Sequence, residues 1–174
     1  MARQNLEKEL REMLLKEHTT AQRDAIIKWV GTDATRLNCL LKLFLANEYR
    51  VTQRAAWPIG YIGEKNPELI KEYLDQLVNN LRQPSLHQAV KRNTLRLLQT
   101  IEIPEELHGT LLHACLGFLE SMDETVAVKA FALTVLERLS RYYPEILPEI
   151  RLIVEAQLPH QTPAFKVRAR PFLS

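Results

Sequence analysis

Residues 123–143 read DETVAVKAFALTVLERLSRYY. Val128, Phe131, Ala132, Val135, Leu136 and Leu139 fall at i, i+3, i+4, i+7, i+8 and i+11, one continuous face of an α-helix. Asp123 stands just ahead of the apolar run, where a carboxylate accepts orphan backbone N–H groups and meets the positive end of the helix dipole. Pro144 supplies the stop. Val126, Ala130 and Leu133 lie off the main stripe. A helix that is apolar on more than one side needs neighbours on more than one side, and stacked helical layers provide them.

The pattern recurs. With Lys129 aligned on Arg54, Lys91 and Lys166, the successive spacings are 37, 38 and 37 residues, in the settings VTQRAAW, QAVKRNT, VAVKAFA and AFKVRAR. A fixed period of roughly 20–50 residues marks a solenoid. The period and its two helices per unit resemble HEAT or armadillo-like repeats. Such repeats commonly carry an acid in the turn and a base six positions on. The pairs at that offset here are Glu48/Arg54, Ser85/Lys91, Asp123/Lys129 and His160/Lys166, so every pair keeps the base and two keep the acid. The resemblance covers roughly residues 33–174. It implies an all-α fold, a right-handed α-α superhelix of about four to five helical hairpins. The expected organisation is a single domain over 1–174, with capping helices over 1–32 and repeats over 33–63, 66–102, 104–142 and 144–173.

A chain of 174 residues fits one domain, and 46% hydrophobic residues suffice for a core without metals or disulfides. The formal charge is +2, from 23 basic and 21 acidic residues, which argues against a dedicated nucleic-acid binder but leaves room for a local basic strip. Cys39 and Cys115 form no CxxC, and each falls on an apolar stripe, so both read as buried, reduced thiols. The opening MARQNLEKELREMLL has no long apolar core, so no secretory signal is expected. No apolar run approaches the roughly 18 residues of a membrane span. The expected location is cytoplasmic, with no membrane partner.

Along the chain, residues 4–17 form an amphipathic helix whose stripe is Leu6, Leu10, Met13 and Leu14, suited to a terminal cap. Thr19 or Thr20 caps a helix over 21–30, Gly31 ends it, and Asp33 caps the next, 34–46. Residues 49–63 correspond to the helix of the opening stretch but contain Pro58, which predicts a kink or an early end. Trp57 falls in the column of Ala132, on the core stripe, and Tyr61 in that of Leu136. Asn66-Pro67-Glu68 starts a helix over 67–82. Others follow over 86–101, from Pro104-Glu105-Glu106, over 144–158 and over 164–173.

The sequence holds no phosphate-binding glycine loop and no GxSxG. His108 and His113 are five apart, about 140° around a helix, so they share no ligating face. His113 reads as a satisfied histidine at a helix contact. No catalytic residue, metal or cofactor is expected. In the resembled family the basic column, here Arg54, Lys91, Lys129 and Lys166, braces the turn through the preceding acid. Lys91 and Lys166 lack that acid. The second helices of the family tend to line a concave surface. That assigns a partner-binding strip to Arg92, Arg96, Gln99, Thr134, Glu137, Arg141 and Arg170, rich in guanidinium forks that suit carboxylates and phosphates. The alternative is an ordinary solvated face.

Three functions are consistent with these residues. The first is a non-enzymatic scaffold or adaptor that takes an acidic protein partner on the concave face. The second is nucleic-acid binding, because QRAAW at 53–57 is similar to a segment of HEAT-like DNA alkylation-repair glycosylases, with Trp57, Tyr61 and Arg54 placed to hold a base. The chain has no catalytic Asp beside a second exposed Trp. The third is a homo-oligomer formed through open solenoid ends, where Phe165, Val167, Phe172 and Leu173 would be exposed.

Overall fold

A computed structural model describes residues 2–173. Among them the secondary structure is entirely helical, and the chain divides after Leu97 into two compact units. The first holds α1 (Ala2–Lys16), α2 (Thr20–Val30), α3 (Ala34–Leu45), α4 (Tyr49–Lys65), α5 (Pro67–Lys71), α6 (Leu74–Asn80) and α7 (Gln88–Leu98), whose last residue falls past the division. The second holds α8 (Glu105–Glu120), α9 (Val126–Leu139), α10 (Leu147–Gln157) and α11 (Pro163–Ala169). Short 3-10 turns there span Pro144–Ile146, Leu158–His160 and Arg170–Phe172.

In the first unit α3 packs on α1 and α4, and α2 closes over α4. Local chemistry sets the helix ends. Thr19 Oγ1 accepts the Gln22 N–H at 3.1 Å, and Asp33 Oδ1 accepts those of Thr35 and Arg36 at 2.8 and 3.1 Å. Gly31 ends α2 at φ +52°, a left-handed value glycine tolerates without a Cβ clash. Leu37, Leu40, Leu41 and Phe44 are buried as their spacing requires, and Leu45 is only half-buried.

Of the kink or early end that the sequence predicts at Pro58, the early end does not occur: α4 runs on to Lys65. An interior proline costs about 3 kcal/mol. Val51, Ala55, Ile59 and Ile62 are all buried, and the apolar area they remove from water offsets that cost. Helix α4 also comes close to α7. A Cβ on Gly63 would overlap Leu97 Cδ2 and stand 3.4 Å from Ile70 Cγ1, whereas one on Gly60 would meet only Asn93 Oδ1, at 3.8 Å. Gly60→Ala is therefore expected to gain up to about 1 kcal/mol from helix propensity. For Gly63→Ala, overpacking of about 1–3 kcal/mol exceeds that gain. Urea midpoints moving in opposite directions would verify the contrast; equal shifts would refute it.

The predicted helix 67–82 is broken in two. Tyr73 sits between α5 and α6 at φ −109°, ψ 2°, a conformation that buries its ring and lets its hydroxyl reach the Ala34 carbonyl at 3.5 Å. Among the described residues two non-glycines have left-handed backbones, Asn47 (φ 56°) and Ser85 (φ 58°). They lie in the turns before α4 and α7 and are bonded together. Asn47 Oδ1 accepts the His87 N–H at 3.0 Å, and its Nδ2 donates to the Ser85 carbonyl at 3.4 Å.

In the second unit α9 packs against both α8 and α11. Val128, Ala132, Val135, Leu136 and Leu139 are buried, and so are the off-stripe Ala130 and Leu133, as a helix with two neighbours requires. The helix begins at Val126, two residues later than a cap at Asp123 predicts, and its N-cap position is Thr125. Asp123 lies in the preceding loop, where its N–H donates to Ser121 Oγ at 3.3 Å. Neither Cys39 nor Cys115 forms a disulfide, both are fully buried, and burial pushes the Cys115 thiol far above its usual pKa. Phe165 and Phe172, expected at an open end, are buried, while Val167 is exposed.

Candidate functional site

Arg54, Lys91, Lys129 and Lys166 stand in the first two turns of α4, α7, α9 and α11. The acid–base pairing implied for two of them does not form. Arg54 Nη1 donates instead to the Leu14 carbonyl of α1 at 2.9 Å, and Glu48 takes both arms of Arg11. Lys129, only 4% exposed, donates to Gln157 Oε1 of α10 at 2.7 Å. Burial lowers its pKa, and nearby Glu124 opposes that shift. Lys91 is half-exposed and Lys166 exposed.

These contacts belong to a wider pattern. Gln22 Nε2 donates to Met13 O at 2.6 Å, Arg36 Nη1 to Trp29 O at 2.7 Å, Gln157 Nε2 to Leu119 O at 2.7 Å, and Arg138 Nη1 to Leu98 O. Each acceptor is a carbonyl in the last turn of another helix, where four C=O groups lack intrahelical partners and the dipole is negative. Long polar side chains thus close neighbouring helix ends. A sequence signal for this existed: Arg54 follows Leu14, and Arg138 follows Leu98, by 40 residues.

The Arg11 guanidinium holds the Glu48 carboxyl below its ordinary pKa. A carboxyl with a lower pKa in the folded state adds stability above its unfolded pKa, and loses it as pH falls through the folded value. Glu48→Gln is expected to flatten the acid limb of a Tm-versus-pH curve slightly, since the pair is exposed; an unchanged limb would contradict the pairing.

The expected partner-binding residues divide between the units. Arg92 is exposed on α7, and Arg96, one turn on, pairs with Glu64 of α4 at 2.5 Å. In the second unit Gln99 is half-exposed just past α7. Thr134 accepts from Arg168 Nε at 3.2 Å, Arg141 lies 3.8 Å from Glu137, and Arg170 is exposed after α11. Arg168, which the sequence reading missed, also lies over Phe131, 5.3 Å from the ring centroid.

The second unit also contains a pocket of about 130 Å³ lined by Glu102, Ile103, His108, Arg138, Leu139, Arg141 and Tyr142. Only Arg141 among these was expected at a binding surface. His108 is buried, with Nε2 2.9 Å from the Ile103 carbonyl and Nδ1 3.2 Å from the Tyr143 hydroxyl. A carbonyl only accepts, so Nε2 carries a proton there, and Nδ1 and the Tyr143 hydroxyl share a second hydrogen bond. His108 therefore fills the structural role expected of His113, which is exposed. Burial lowers the Arg138 pKa; Tyr142 opposes that shift, Arg141 adds to it, and Glu102 opposes it.

Trp57 is half-buried rather than part of the core stripe. The Arg23 guanidinium lies over it, 4.8 Å from the ring centroid, and over Tyr61 at 4.0 Å, while Asp24 holds the same arginine at 2.7 Å. The aromatic faces proposed to hold a base are thus covered by an internal cation.

Among the described residues no group of three or more His, Cys, Asp or Glu side chains is placed to hold a metal, and no helix is long and apolar enough to cross a membrane. A family model described as HEAT repeat domain matches residues 10–173. No curated protein and no solved structure matches the chain.

Proposed function

This chain belongs to the HEAT repeat domain family, and on that premise we propose that it is a non-enzymatic scaffold that binds an acidic protein partner. Repeats of this family commonly mediate protein interactions. The observation that carries the reading is the arginine supply on the second helices: Arg92 on α7 and Arg141 just past α9 are exposed. Exposed guanidinium forks match carboxylates bidentately. Arg92 is the cleaner probe, because Arg96 already pairs with Glu64.

A photo-reactive phenylalanine analogue in place of Arg92 tests the proposal in native extract. A discrete crosslinked protein band is expected, absent when the analogue replaces Lys28 on α2. The same pattern of crosslinks at both positions, or none, would contradict it. The protein reading is favoured over nucleic acid because Arg23 already covers Trp57 and Tyr61. No retardation of duplex DNA at low salt is expected, and a salt-dependent shift would reverse that preference.

A further inference from the structure

We propose that the pocket lined by His108, Arg138, Arg141 and Tyr142 receives a single carboxylate side chain from an acidic segment of the partner protein, an inference that rests on the scaffold reading. Its volume of about 130 Å³ suits a carboxylate with its methylene stem. Engineered cavities of roughly 150 Å³ admit benzene. Ile103 and Leu139 give the stem an apolar wall.

Charge selects the occupant. The lining carries two guanidinium groups and one carboxylate, Glu102, while Glu137 stands 3.8 Å from Arg141 outside it; within the lining the balance is one positive charge, which a monoanion neutralises. A phosphate dianion would exceed that charge and face Glu102. Arg138 is already oriented by its bond to the Leu98 carbonyl. A guanidinium has five N–H donors, so that bond leaves others for a ligand. Burial disfavours its charge, and an incoming carboxylate offsets that penalty. The Tyr142 ring, 5.2 Å from His108, forms an exposed side wall. Ile103 and Leu139 are held by burial before binding, which lowers the ordering cost.

The test is an ¹⁵N NMR titration of the full chain with three probes: a capped peptide carrying one internal glutamate, its glutamine counterpart, and inorganic phosphate. The glutamate peptide is expected to shift the amides of Ile103, His108, Leu139 and Tyr142. The glutamine peptide should bind about tenfold more weakly. Arg141→Glu should weaken the glutamate peptide by at least about tenfold, and Lys28→Glu on α2 should leave it unchanged. Arg141 is exposed, and circular dichroism would verify that its variant folds. Equal binding of the two peptides, unaltered binding by Arg141→Glu, or tighter binding of phosphate would each overturn the proposal. Crosslinking at position 92 does not depend on this pocket. Loss of the peptide effect with that crosslink retained overturns the pocket alone, whereas loss of the crosslink overturns the scaffold reading and, with it, the partner assigned to the pocket.

Discussion

Phe165→Ala is expected to lower the unfolding free energy by about 3–5 kcal/mol, the range for truncating a buried phenylalanine. Phe165 is fully buried on α11, and α11 is one of the two helices that cover α9. The loss has two parts: the transfer free energy of the ring, and a cavity that rigid neighbours cannot fill. Helix α11 is short, Pro163–Ala169, so its intrinsic propensity contributes little and packing holds it in place. Val167, on the same helix but 55% exposed, is the control; Val167→Ser should change stability by no more than about 0.5 kcal/mol. Urea unfolding of both variants decides. Similar small losses would show that α11 is not docked through Phe165.

Arg138→Met is expected to cost about 2 kcal/mol, within the range of charge-assisted hydrogen bonds. The bond to the Leu98 carbonyl is made by a half-buried guanidinium at a helix C-terminus, where a positive charge also meets the negative dipole end. Methionine keeps much of the stem's packing but supplies no donor, so the carbonyl loses its side-chain partner. Arg138→Lys should recover part of the loss, because a lysine keeps the charge without the planar fork. Denaturant midpoints test the series. A methionine variant as stable as the parent would remove the helix-end bonds from the account of stability.

What the sequence revealed follows the range of the interaction that decides each feature. Thr19, Gly31 and Asp33 were legible as caps because capping depends on residues two to four positions away. The two-sided burial of α9 was legible because a 3.6-residue period reports which faces are apolar. The early end that Pro58 allowed does not occur because its penalty is local while the burial that outweighs it, around Val51, Ile59 and Ile62, is tertiary. Arg54 and Lys129 were recognised as a column, but their acceptors, Leu14 and Gln157, lie 40 and 28 residues away. No spacing rule for a turn reports such a partner. His108 and His113 both lie on α8, and nothing local distinguishes the one that turns toward Ile103 and Tyr143. The pocket was missed for the same reason. Glu102, His108 and Arg138 are brought together only by the packing of α8 on α9.

The central functional claim is that exposed arginines of a HEAT-repeat chain recruit an acidic protein. Quantitative affinity recovery from native extract, comparing the parent with an Arg92→Glu/Arg141→Glu variant of verified fold, tests it most directly. A defined acidic protein is expected to be retained by the parent, eluted by salt, and reduced about tenfold or more by the double reversal. Equal recovery by both chains, or retention of nucleic acid alone, would contradict it.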